Sequence, residues 1–68
     1  MLPKTTKNVN EFLKSNRWAL RWNAWRGIRQ ARGVLEAARE WRESGDDDDL
    51  LALDMAIVRY CMWVLKGA

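Results

Sequence analysis

The sequence predicts an all-α protein. It is an antiparallel helical hairpin, with a long first helix over about 8–44 and a second over about 47–66, dimerising into a four-helix arrangement. Three observations lead there. Strong helix formers (Ala, Leu, Arg, Glu) dominate, and no run alternates apolar and polar residues as a half-buried strand does. Apolar residues recur instead at three- and four-residue spacing. The strongest break, Gly45 followed by Asp46–Asp49, is short enough to join two antiparallel helices.

The first helix is expected to start at Asn8, where Asn8-x-x-Glu11 has the form of a capping box. Residues 1–7, which include Pro3, are expected to be an extended or flexible arm of a single domain spanning 1–68. A break near Ser15–Asn16 is an open alternative, with Asn16 capping a second start. At 100° per residue, Val9, Leu13, Leu20, Ala24, Gly27, Ala31, Val34, Leu35, Ala38 and Trp41 fall in one sector, with Phe12 and Ile28 at its edges. Trp18, Trp22 and Trp25 form a separate row at i, i+4 and i+7, roughly opposite. Arg29 continues that row, and Arg21 and Arg32 flank it.

The second helix starts within the aspartate tract, whose carboxylates meet the positive end of the helix dipole. It is apolar almost all round, with Ala52, Arg59 and Lys66 as a thin polar strip. A helix of that kind is enclosed by other elements. Folding about Gly45 sets Trp41 near Leu50, Ala38 near Leu53, Ala31 near Tyr60 and Gly27 near Val64. The register runs out near Ala24. Phe12, Leu13 and Leu20, with Trp18 and Trp22, then extend past the second helix and are expected to cover a second protomer. Phe12, Leu13, Leu20, Ile57, Cys61 and Val64 form the expected dimer core. Asp54, on the apolar side, is expected either to pair with Arg39, Arg42 or the other protomer, or to lie exposed beside the turn.

Size supports self-association. A chain of 68 residues buries only about 60% of the surface of its unfolded form, so small domains rely on disulfides, metals or oligomerisation. One cysteine and no histidine exclude an intrachain disulfide and the common zinc sites. The same composition removes the usual general base and most nucleophilic triads, and no glycine-rich phosphate loop is present. The aspartate tract lacks the ligand spacing of a calcium loop. No enzyme activity, cofactor or metal is expected. The lone Cys61 fits a reducing, cytoplasmic setting, and the first seven residues lack the apolar segment of a signal peptide.

Charge and tryptophan then point to binding. The net charge is +3, yet residues 14–32 hold six cations (Lys14, Arg17, Arg21, Arg26, Arg29, Arg32) and no acid. Five of the residues are Trp, a type enriched with Arg at binding hot spots. The expected function is a small non-enzymatic interaction module, a homodimeric inhibitor or adaptor. It would occlude an acidic or partly apolar surface of a partner protein through Trp18, Arg21, Trp22, Trp25, Arg29 and Arg32. The competing assignment of the Trp row is the dimer core itself. A nucleic-acid-binding basic helix is the alternative function, with membrane-surface binding disfavoured by the apolar second helix. In size and style such a compact, His-free, Trp-rich hairpin resembles the small accessory proteins of bacteriophages, many of which occlude a host protein. That resemblance implies a host-cytoplasmic inhibitor and rests on no motif, so it assigns no residues.

Overall fold

A computed structural model describes residues 2–67, with side chains from Thr6 onward. All regular structure among them is helical: α1 (Leu2–Ser15), α2 (Arg17–Trp25), α3 (Arg29–Ser44) and α4 (Asp47–Leu65). The expected hairpin is present as α3 and α4. The single long helix over 8–44 is not, because the chain breaks twice.

The first break is a bend. The backbone N–H of Asn16 donates to the Phe12 carbonyl, and that of Leu20 donates to the Asn16 carbonyl, so helical bonding runs through the joint. The Asn16 side chain does not cap α2. Its amide donates back to the Phe12 carbonyl at 3.0 Å, a local competition with the helical ladder that favours bending.

The second break reverses the chain. Gly27 is left-handed, at φ 88°. Its N–H donates to the Ala24 carbonyl and that of Ile28 to the Asn23 carbonyl, the paired bonds of a Schellman motif. The helix therefore stops at Trp25. Ile28, extended at ψ 115°, then starts α3. Gly27 does not pack closely on Val64 as the register suggested, since nothing lies within 4 Å of where its Cβ would be.

The start of the chain also differs. Helix α1 runs from Leu2 through Asn8, so the expected arm is helical from residue 2 and Asn8 caps nothing. Pro3 is tolerated there because a first-turn N–H has no intrahelical acceptor. At the other turn the expectation stands. Gly45 is left-handed at φ 69° and donates to the Trp41 carbonyl. The Ser44 hydroxyl donates to Asp49, and the Asp46 N–H donates to Ser44 Oγ, which ties the end of α3 to the first turn of α4.

These breaks close the core within one chain. Val9 and Leu13 of α1, Leu20 of α2, Ala31, Val34 and Ala38 of α3, and Leu50, Leu53, Ile57 and Tyr60 of α4 form one buried cluster. Phe12 is half-buried against it. Phe12, Leu13 and Leu20 are thus satisfied without a second protomer, because folding back supplies the cover that the straight helix lacked. Cys61 is half-buried beside the cluster, and Val64, expected in the core, is about half exposed. Asp54 is half-buried and takes no part in the side-chain hydrogen bonds of the described residues. Arg39 and Arg42 instead line a cleft formed with α1 and α2.

Tyr60 joins the elements. Its hydroxyl accepts a hydrogen bond from the Asn23 side chain at 3.0 Å. Phe12 meets its ring edge-on at 6.2 Å, and Trp63 lies at 5.9 Å. One buried ring therefore touches α1, α2 and its own helix, and its polar atom is paired, as burial requires.

The two interior glycines should respond oppositely to alanine. Gly33 lies within α3 with open space at its Cβ position, so Gly33→Ala should raise unfolding stability by about 0.5–1 kcal/mol. Gly27→Ala places a side chain at positive φ and should lower it by about 1–2 kcal/mol. Urea unfolding of the two variants checks both signs.

Candidate functional site

Helix α2 has two unlike faces. Leu20 is buried and Ala24 half-buried, and these pin the helix to α3. The opposite face carries Trp18, Trp22 and Trp25, exposed at 75%, 59% and 77%. These are large apolar side chains outside the core, on a helix whose inner face is already packed. Three neighbouring exposed indoles form the kind of contiguous apolar patch that marks an interaction surface.

The row is preorganised by contacts among its own members. The Trp22 and Trp25 rings lie 5.2 Å apart at an interplanar angle of 31°. The Arg17 guanidinium sits 5.9 Å from the Trp18 ring centroid, within cation–π range. Holding these rings in place before binding lowers the ordering cost of association. Arg17 was legible only as part of the basic run.

Beside the row lies a cleft of about 690 Å³ between α1, α2 and α3. Lys14, Arg17, Arg21, Arg39 and Arg42 line it, over a floor that includes Leu13, Leu20 and Leu35, with Glu43 its one acid. The described side-chain hydrogen bonds engage none of these five cations. Between Glu11 and Glu36 the chain has no carboxylate side chain, and the acids nearest the cleft lie at its α3 end, where Glu43 also borders a hollow with Glu40 and Asp49. Helix α2 itself is accordingly cationic, a field that attracts acidic partners.

The six expected partner-binding residues do not stay together. Trp18, Arg21, Trp22 and Trp25 share α2. Arg29 and Arg32 are exposed but belong to α3, because the helical phase that linked Arg29 to Trp25 is interrupted at Gly27. Arg29 instead borders a second groove of about 480 Å³ between α3 and α4, with Arg59, Trp63 and Lys66. Arg39 and Arg42, expected from the sequence as partners for Asp54, join Arg21 at the first cleft. Only the folding-back of α1 and α2 over α3 brings them there, and no local spacing encodes it.

Among the described residues no cluster of three or more potential metal ligands occurs, and no helix is long and apolar enough to cross a membrane. The chain matches no protein-family model, no curated protein and no solved structure.

If the row is a surface feature, Trp18→Ala and Trp25→Ala should each change folding stability by no more than about 0.5 kcal/mol. Leu20→Ala, which empties a buried position on the same helix, should cost about 2–5 kcal/mol. Chemical denaturation of the three variants distinguishes the two faces of α2.

Proposed function

We propose that this protein is a non-enzymatic binding module, an inhibitor or adaptor that docks its α2 face on an acidic, partly apolar surface of another protein. The observation that carries the reading is the exposure of Trp18, Trp22 and Trp25 on a helix whose core contacts are already made. Buried at an interface, each indole removes on the order of 150–250 Å² from water. Arg17 and Arg21 beside them supply charge-assisted bonds to carboxylates. Trp and Arg are also the residue types that dominate binding energy at interface centres. Arg29 and Arg32 stand on α3 outside this surface, with Arg29 at the α3–α4 groove, and add only to the positive charge that steers encounter.

A second reading, binding of single-stranded nucleic acid, is favoured by one observation, the cationic cleft beside the aromatic row. Aromatic platforms along a positive groove suit bases and phosphates. The ring geometry weighs against it. Trp22 and Trp25 pack against each other and Arg17 approaches Trp18, so part of each ring is already engaged within the protein and the three do not form a row of parallel platforms.

The discriminating experiment uses the immobilised protein and its Trp22→Ala/Trp25→Ala variant, with matched helicity by circular dichroism. A partner protein retained by wild type should bind the variant at least tenfold more weakly, since hot-spot truncations exceed about 1.4 kcal/mol. An oligothymidylate should show no retention near physiological salt. Tight oligothymidylate binding that weakens steeply with salt would favour the second reading and contradict the first.

A further inference from the structure

Helix α4 carries two apolar stripes, and the fold uses one. Leu50, Leu53, Ile57 and Tyr60 point into the core. Leu51, Met55, Val58, Met62 and Leu65 lie on roughly the opposite side and are each half exposed or more. Their spacings are four, three, four and three residues, the repeat of a coiled-coil seam. The stripe runs for about 21 Å at 1.5 Å per residue.

We propose that this outer stripe is where a second copy of the chain docks, with the two α4 helices antiparallel. Three observations select that occupant. The first is area. The chain exposes 5283 Å², whereas a compact monomer of 8.0 kDa exposes about 4500 Å². The excess is of the size that one partner contributes to a standard interface, roughly 800 Å², and the α4 stripe shares it with the Trp row. The second is the pattern. A seam of Leu, Met and Val is complementary to itself, and a two-fold axis brings the same patch from both copies together.

The third is charge. On α4 the acids Asp47, Asp48, Asp49 and Asp54 precede the midpoint, and Arg59 follows it, with Lys66 directly after the helix. An antiparallel pair sets the acidic half of one helix along the basic half of the other and opposes the two helix dipoles. A parallel pair would instead crowd both aspartate tracts at one end. The register that puts Leu51 opposite Met62 of the second copy also puts Met55 opposite its Val58. Lys66 is then level with its Asp47. Each α4 lies between its own α3 and the second α4, so two α3–α4 hairpins make a four-helix arrangement. This seam does not use the Trp row, which stays open to a foreign partner, and it stands whether or not that row binds protein.

Sedimentation equilibrium across micromolar concentrations should give twice the chain mass for wild type. Met55→Glu/Met62→Glu should give the single-chain mass with unchanged helicity, because both side chains are exposed in the monomer. A wild type that is monomeric throughout would overturn the proposal. So would a dimer that survives these changes but is lost in Trp18→Ala/Trp22→Ala. Cross-linking in a Cys61→Ser background tests the orientation independently of the glutamate variant's folding. Chains with Leu51→Cys should form disulfides with chains carrying Met62→Cys, whereas efficient disulfide formation of Leu51→Cys with itself contradicts the antiparallel seam.

Discussion

The left-handed backbone of Gly27 is the constraint on which the remaining structure depends. A helix continued from α2 into α3 would carry Leu20 and the α1 side chains Val9 and Leu13 away from α4, with nothing to cover them. At φ 88° the chain reverses, and the same residues close over α3 and α4. The reversal also delivers the Asn23 amide to the buried Tyr60 hydroxyl. A phenol interior to so small a core would otherwise lack a partner, at a cost of about 1–3 kcal/mol. The turn and the Tyr60 contacts therefore support each other. The Schellman bonds hold the chain where Asn23 can reach, and the Asn23 bond holds α2 against the hairpin.

That solution has limits set by size. Four helices share one small buried cluster, so each helix can commit only one face to it. On α2 the remaining face is aromatic and cationic. On α4 it is an aliphatic and methionine stripe. The two surplus surfaces differ in chemistry, and that difference separates their roles. Rigid indoles beside guanidinium groups suit a partner with carboxylates at its rim. An uncharged heptad seam with acid at one end and base at the other suits its own copy turned end for end. The charge asymmetry along the chain follows the same division, with the cations gathered on α2 and its cleft and the aspartates at the α3–α4 turn.

Much of the hairpin was legible in the sequence. Gly45 and the aspartates that follow it form a local signal, and the structure places the turn there. The small residues Ala31 and Ala38 and the bulky Leu53 and Tyr60 of the expected register all meet in one core. The reversal was not legible, because Gly27 and Gly33 look alike in a helical pattern. What distinguishes them is tertiary. Ile28 finds a half-buried place against the core, and Asn23 finds Tyr60, which lies 37 residues away. A wheel drawn through both glycines kept the Trp row intact but carried it on to Arg29, where the real helix has ended. The same unbroken wheel left Phe12, Leu13 and Leu20 overhanging. It hid the cleft that Arg39 and Arg42 share with Arg21. The face of α2 was readable because it lies within one uninterrupted helix, and the cleft was not because it needs three.

Core, cleft and exposed faces all depend on the chain folding back upon itself, and one distance tests that most directly. Asn10 and Glu43 are exposed and border the same cleft. Spin labels at Asn10→Cys and Glu43→Cys, in a Cys61→Ser background diluted with unlabelled chain, report their separation by pulsed electron resonance. Folding back keeps the two backbone positions within the 32 Å longest extent of the molecule and predicts a short, narrow distribution. A distribution centred near 50 Å, the rise of about 33 residues in an unbroken helix, would contradict it.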